Sequence, residues 1–376
     1  MRFIKHVYKI HTYTQEGRLF EGKTPASAFL NSSYDGSFIA GLMELRYIQS
    51  LPVERIINYF ESHGFTLKKP TAHKLMEKAS SLFENLYKCI RQTALSDPYK
   101  AADETYYKIL VPEKNSKGKG VRKGYLWVVV GINTRMIYLL YDDGSRSERV
   151  ILNELGSCKG IIQSDGYSPY RKLESDAYPN ITRIPCLQHI KRKFIDCGED
   201  DPDAKRIVEL INALYQNEHK HKVGAEGWTV EQNLMHRKKY APDILGEIKD
   251  VLDEIEERGD LLPKSELQEA ITYLRNEWNA VVDIFNYGDT YLDNNMVERM
   301  NRYISLSRKN SLFFGSHKGA ERGAILYTIA LTCRMHKVNL FEYLTDVINR
   351  TAEWQPNTPL EKYRELLPDR WEKANG

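Results

Sequence analysis

No stretch of this chain is apolar enough to cross a bilayer. The longest runs, Leu126 to Val130 and Ile325 to Leu331, fall far short of the roughly 20 residues a spanning helix needs. The opening Met1 to Lys5 lacks the apolar core of a signal peptide, so a cytoplasmic protein with no membrane partner is expected. Paired cysteines are missing too. Cys89, Cys158, Cys186, Cys197 and Cys333 are odd in number and far apart, which disfavours a disulfide framework and points to a reducing compartment. There is little excess charge: 54 basic against 51 acidic residues leaves +3, a balance that neither supports nor opposes nucleic-acid binding because it can hide local basic faces. Internal repeats and low-complexity segments are absent. What remains is an ordinary globular composition, 41% apolar and 28% charged over 376 residues, enough for one large core or two to three domains.

Residues 1–35 are polar and broken by Gly17, Gly22 and Pro25, with one alternating stretch, Phe3 to Ile10, that reads as a short strand. This segment is expected to be an arm. From Ser37 the pattern turns helical: one helix to about Ser50, a second from Val53 to Phe60 closed by Gly64, and a third beginning near Pro70. Two short helices, a glycine turn and a third helix carrying Thr71, His73 and Lys74 follow helix-turn-helix grammar. A helical dimerisation or packing module over 36–97 reads the same way.

After Asp97 and Pro98 the period changes. Runs at 106–111, 124–131 and 136–141 are β-rich and joined by short turns. A helix follows over 147–155, then a strand at 160–165, a short helix from Ser168 and a strand near 181–185. The order β-β-β-α-β-α-β is that of the RNase H-like fold. From about His189 to Phe285 the chain is helical and charged, with Leu267, Ile271, Leu274, Trp278, Val281 and Phe285 on one helical face. Leu292 to Asn295 then forms an N-cap cluster opening a helix that contains Glu298, and helices at about 318–334 and 340–350 precede a proline-punctuated tail. The expected fold class is therefore α/β, an RNase H-like mixed sheet flanked by helices, with an all-helical insertion and an N-terminal helix-turn-helix-like module. The expected divisions are an arm (1–35), the helical module (36–97), the first part of the core (98–189), the insertion (190–287), the C-terminal core helices (288–350) and a tail (351–376).

In such a sheet the first and fourth strands are neighbours, so Asp103 and Asp165 are expected to converge although 62 positions apart (165 − 103). Glu298, on a later helix, would close the triangle. Three carboxylates so placed hold two hard cations, Mg²⁺ or Mn²⁺, which activate an attacking oxygen and stabilise the leaving one in displacement at phosphorus. Singly, each acid has a plainer reading: a solvated loop residue beside Glu104, a turn at Asp165 and Gly166, a first-turn helix charge at Glu298. Their joint placement favours the metal site.

Cys186 and His189 have half of a zinc-ligand spacing, but no second pair lies at a matching distance, so a structural zinc site is not expected. His189 either orients a phosphate or an acidic ligand, or caps and packs a helix start. The segment Lys114 to Lys123 has five basic residues in ten and no acid. Lys117, Lys119, Arg122 and Lys123, with Arg299, Arg302, Arg308 and Lys309, would contact DNA phosphates, unless the loop is merely a solvated hairpin tip.

The chain resembles the transposases of the insertion sequence 66 family. The resemblance rests on Ala102–Asp103–Glu104–Thr105, Gly124–Tyr125–Leu126–Trp127–Val128, Gln163–Ser164–Asp165–Gly166–Tyr167 and Cys186–Leu187–Gln188–His189 with Arg192–Lys193–Phe194. It continues through Leu292–Asp293–Asn294–Asn295–Met296–Val297–Glu298–Arg299, Ser307–Arg308–Lys309–Asn310, Phe314–Gly315–Ser316, Gly319–Ala320–Glu321–Arg322 and Glu365–Leu366–Leu367–Pro368. It implies a DDE transposase with Asp103, Asp165 and Glu298 as the metal-binding catalytic acids, two Mg²⁺ or Mn²⁺ ions, and His189 as an active-site support. It also implies element ends and target DNA as partners, a homo-oligomer in the DNA complex, accessory proteins of the element, and association with the nucleoid when DNA is bound. Two departures stand out: Ser307 replaces a usual glycine, and the family's N-terminal paired-cysteine zinc segment has no counterpart before Cys89, which makes residues 1–35 a remnant of that region. The alternatives are an RNase H-like nuclease that only hydrolyses DNA and a catalytically silent DNA-binding derivative.

Overall fold

The computed structural model describes residues 2–22, 27–29, 32–114, 118, 120–220, 223, 227–355 and 357–372. The arm departs from the sequence expectation. Phe3 to Ile10 forms no strand; a hairpin of β1 (Thr12–Gln15) and β2 (Arg18–Glu21) follows it instead. Glu16 and Gly17, both at positive φ (49° and 73°), make the two-residue turn that suits a right-twisted hairpin. Phe3 packs among the rings of Phe38, Phe60 and Phe65, while Ile4, Val7, Tyr8 and Ile10 stay exposed. The alternation is real, but among the described residues no strand pairs with it.

The helical module comprises α1 (Gly36–Tyr47), α2 (Val53–Ser62), α3 (Lys69–Leu82) and α4 (Glu84–Ser96). Asp35 caps α1 by accepting from the Phe38 N–H. On α3, His73 and Lys74 are exposed.

The core contains β3 (Tyr99–Leu110), β4 (Val121–Gly131), β5 (Ile137–Leu140), α5 (Glu148–Leu155), β6 (Gly160–Ser164), α6 (Ser168–Arg171), β7 (Ile181–Pro185) and α7 (Leu187–Ile195). The insertion contributes α8 (Pro202–Lys220), α9 (Val230–Arg258) and α10 (Glu266–Ile284). Then come α11 (Asn295–Asn310), β8 (Phe313–Phe314), α12 (His317–Met335), α13 (Leu340–Thr351) and α14 (Leu360–Arg364).

The sheet runs β5-β4-β3-β6-β7, antiparallel across β5, β4 and β3 and parallel across β3, β6 and β7, with β8 beside the far end of β3. This is the RNase H-like arrangement expected, flanked by helices on both faces. Leu126 to Val130 of β4 is buried throughout, as the near-continuous apolar run of a covered central strand should be. The β5 edge is closed by α12, whose Thr328 Oγ1 accepts from Leu139 N–H (2.9 Å) and whose Thr332 Oγ1 donates to the Ile137 carbonyl (2.9 Å). The module is seated on the C-terminal helices: α1 packs against α13, and buried Arg46 reaches Ser307 of α11, which in turn accepts from the Tyr327 hydroxyl of α12 (2.6 Å).

Within the insertion, Thr229 and Gln232 form a reciprocal capping box at the start of α9. Arg237 on that helix is a buried hub. Its guanidinium makes two bonds to Glu218 of α8 (both 2.7 Å) and others to the carbonyls of Ile284, Tyr287 and Thr290. It thereby fixes the turn through which the chain leaves the insertion and approaches α11. Replacing Arg237 by Met leaves the Glu218 charge without its cation and takes a donor from the Tyr287 and Thr290 carbonyls, and is expected to destabilise the fold by about 3 kcal/mol. Chemical denaturation of the two proteins measures it; a loss under about 1 kcal/mol would show that water takes over these bonds.

Candidate active site

Gly160 begins β6 in the left-handed region (φ 91°), pressed so close to Pro98 that a β-carbon would collide with its carbonyl. Ile161 N–H then donates to that same carbonyl (2.8 Å), locking β6 onto the start of β3. The resulting parallel register pairs Tyr99 with Ile161 and Ala101 with Gln163, an offset of 62 (163 − 101). Asp103 and Asp165 lie two residues beyond that last pairing on their chains, and the charge of Asp165 acts on Asp103.

Buried Gln163 ties this corner to the later chain. Its Oε1 accepts from the Tyr99 hydroxyl (2.6 Å), and its Nε2 donates to the carbonyls of Tyr291 (2.8 Å) and Pro185 (3.2 Å). The Tyr291 N–H returns a bond to the Tyr99 hydroxyl (3.0 Å). Asn294, expected to cap α11 with its side chain, does something else: its Nδ2 donates to the Ala102 carbonyl (3.1 Å), while the Asn295 N–H is taken by Asp293 (3.1 Å). The Asp-Asn-Asn cluster thus pins α11 to β3 one residue before Asp103.

Asp103 is half-buried. Its carboxylate accepts from the Asn301 amide of α11 and from the Glu104 N–H (2.8 Å). Burial first, then the like charges of Asp165 and Glu104, push its pKa up to about 8. Asp165 accepts from the Tyr167 N–H (3.1 Å). Glu104 is treated differently: although burial raises its pKa, Arg146 pairs with it at 2.5 Å. Glu298 sits one helical turn before Asn301, on the same side of α11. It faces His189, whose Nδ1 lies 3.6 Å from its Oε1, and it shares a cluster with Cys186 and His189. Cys186 accepts from the Asn294 N–H (3.3 Å), and burial pushes its thiol up to about 12.

The Asp165 turn is held from the insertion. Gly166 donates to the Tyr273 hydroxyl of α10 (2.8 Å), an approach that leaves no room for a side chain at position 166. Arg183 of β7, fully buried, donates to the Asp165 carbonyl (2.6 Å) and to Ser164 (3.0 Å) and is ion-paired with Glu277 of α10 (2.6 Å). Tyr273, Glu277 and Arg183 did not stand out in the sequence, because nothing local marks a tyrosine or glutamate on an amphipathic helix as reaching a loop more than 100 residues earlier.

Of the basic residues expected at DNA, Lys117 and Lys119 lie outside the described residues. Arg122, Arg299, Arg302 and Lys309 are exposed. Lys123 and Arg308 both stack on Tyr106, at 4.3 and 3.9 Å from the ring centre. Lys123 also lies over Tyr125 (5.4 Å), Arg146 over Tyr125 (5.1 Å) and Tyr167 (4.2 Å). A row of alternating cations and aromatic rings therefore runs to the residue that donates to Asp165. Arg146 and the three tyrosines were missed in the sequence, since their alternation arises across strands rather than along one.

A model of the Transposase IS66 family matches residues 31–322. The chain belongs to that family. Membership brings a transposase role, hence a protein that processes DNA by chemistry that in general depends on metal ions. Relatives of the chain include two uncharacterised proteins of Sinorhizobium fredii. One, y4jD, is 25% identical over 95% of the chain and 70% of its own length; the other, y4hP, is 25% identical over 86% of the chain and 60% of its own. A third from the same organism, y4qI, is 28% identical over 69% of the chain and 49% of its own length. The chain thus spans between about half and seven-tenths of these relatives.

The donor set suits the hard divalent ions such chemistry uses. Asp103 and Asp165 offer oxygens only, and the charges acting on Asp103 are of its own sign, so a cation would relieve them. Without metal, folded Asp103 keeps a proton up to about pH 8 that the unfolded chain releases near 3.8, so stability falls as pH rises through that window. Asp103→Asn is expected to remove this slope: its metal-free Tm should exceed the parent's by a few degrees at about pH 8 and converge with it near pH 4, while magnesium stabilises the parent more. Parallel Tm–pH curves would show that the repulsion is not felt.

Proposed function

We propose that this transposase uses Asp103, Asp165 and Glu298 as a DDE triad, cutting an element end and joining its 3′-hydroxyl to target DNA. The observation that supports this reading is that the charge of Asp165 bears on Asp103, while α11 is tied to the same strand by Asn294, which donates to the Ala102 carbonyl, and by Asn301, which donates to the Asp103 carboxylate. Glu298 enters from that same helix. The three acids would hold Mg²⁺ or Mn²⁺, and when bound two such ions supply the charge that activates the attacking oxygen and stabilises the leaving one.

The chain's own residues do the positioning. Asn301 orients Asp103, Arg183 and Tyr273 fix the turn of Asp165, and His189 stands beside Glu298, where its ring would orient that carboxylate or a bound phosphate. Lys123, Arg308 and Arg146, stacked on tyrosines, form a cationic row along which a DNA strand would reach the acids, with Arg122, Arg299, Arg302 and Lys309 adding phosphate contacts.

Glu298→Gln keeps shape and most hydrogen bonding but removes a ligand charge. It should bind DNA as the parent does, within about twofold, and lose cleavage and joining by roughly 100-fold or more. A labelled element end with a supercoiled target, in magnesium, reads both steps. Strand transfer at the parental rate would reject the triad, and cleavage without joining by the parent would favour a nuclease.

The cationic row is tested by salt. Changing Arg122 and Lys123 to Gln together should weaken DNA binding and flatten the plot of log K against log salt by about 0.9 for each phosphate that is no longer neutralised. An unchanged slope would mean that these side chains are only solvated.

A further inference from the structure

Cys186 closes the β7 end of the sheet, His189 lies in the first turn of α7, and Glu298 lies in the first turn of α11. One ligand atom from each, a thiol sulfur, a ring nitrogen and a carboxylate oxygen, lies within 4.8 Å of the other two. Two of the polar atoms here are orphaned: His189 Nδ1 and Glu298 Oε1 are buried with no hydrogen-bond partner. They stand 3.6 Å apart, too far to bond one another. The separation is instead close to the edge of a metal tetrahedron, roughly 3.4 Å for bonds of about 2.0–2.2 Å to nitrogen and oxygen.

We propose that Cys186, His189 and Glu298 form a binding site for a zinc-type cation. Sulfur and imidazole select zinc over magnesium, whereas the oxygen-only pair at Asp103 and Asp165 suits the harder ion. Three protein ligands leave a fourth position for water, on the side where His189 and Glu298 are partly exposed (28% and 26%). Binding releases the Cys186 thiol proton to solvent, and the Asn294 N–H already directed at the sulfur stays in place to support the thiolate. Sequence spacing hid the site because it shows half of a zinc motif, and the third ligand comes from a helix more than 100 residues later. The consequence for activity rests on the triad reading above: zinc at this site takes Glu298 away from the two aspartates and inhibits magnesium-supported strand transfer.

Cobalt(II), a visible stand-in for zinc, tests the site on the full chain without DNA. One equivalent should give a near-ultraviolet thiolate-to-cobalt band that zinc removes and an excess of about 100-fold magnesium does not. Cys186→Ala should abolish the band, His189→Ala and Glu298→Gln should weaken cobalt binding by at least about tenfold, and Cys197→Ser should change nothing. Zinc should raise the Tm of the parent and of Cys197→Ser but not that of Cys186→Ala, with circular dichroism reporting that each variant is folded. No band in the parent, or a band that persists in Cys186→Ala, overturns the proposal. The two readings fail separately. A Glu298→Gln protein that binds cobalt weakly yet transfers strands rejects the triad and supports the zinc site, while an inert Glu298→Gln beside a parent with no band rejects the zinc site alone.

Discussion

Gln163 lies on the strand between β3 and β7, and its side-chain amide is shared by three segments distant in sequence. One end receives the Tyr99 hydroxyl, the other reaches the carbonyls of Pro185 and Tyr291, and the Tyr291 N–H closes the circuit on Tyr99. In an interior from which water is excluded, each of these groups is costly if left unpaired, so the four partners are correct together or not at all. The β3–β6 pair, the exit of β7 into α7 and the approach of the chain to α11 are therefore all braced by one exchange of bonds. Asp103, His189 and Glu298 follow directly on from those three segments.

Electrostatics then separates two neighbours on one strand. Asp103 and Glu104 are adjacent and both buried enough to resist ionisation, yet Glu104 is met by Arg146 and the Tyr170 hydroxyl while Asp103 is met by an amide and a like charge. Glu104 is neutralised within the protein. Asp103 is left with a deficit of positive charge that the fold does not fill. The same asymmetry appears at the other end of the site, where Arg183 answers Glu277 and holds the Asp165 backbone without touching the Asp165 carboxylate.

The sheet was legible in the sequence because its strands are short apolar runs with turn residues between them, and the β-β-β-α-β-α-β order leaves few ways to arrange them. The beginning of β3 was not, since Lys100 and Asp103 interrupt its apolar pattern; Lys100 is buried there only because its ammonium is bonded to the carbonyls of Asp97 and Lys159. The hairpin at residues 12–21 was hidden by the opposite fault, an alternating stretch just before it that has no strand to pair with. At the candidate site, the helix that carries Glu298 and the strand that leads to Asp165 could be read directly, whereas the place of Asp103 inside β3 could not. What could not be read was which partners come from far along the chain: Asn301 for Asp103, Tyr273 for Gly166, Glu277 for Arg183, and Glu298 for His189. A one-dimensional pattern carries periodicity, not the meeting of surfaces.

Tyr273 and Glu277 are one turn apart on α10 and both bear on the Asp165 turn, directly or through Arg183. A helix advances by roughly 100° per residue, so gaining or losing a single residue between the start of α10 and Tyr273 would swing both side chains away from that turn. Evolutionary drift in length is thus not free across the insertion. It can be absorbed between α9 and α10, where Gly259 ends one helix and Ser265 caps the next, but α10 itself is held to a fixed phase by a glycine that lies more than 100 residues before it.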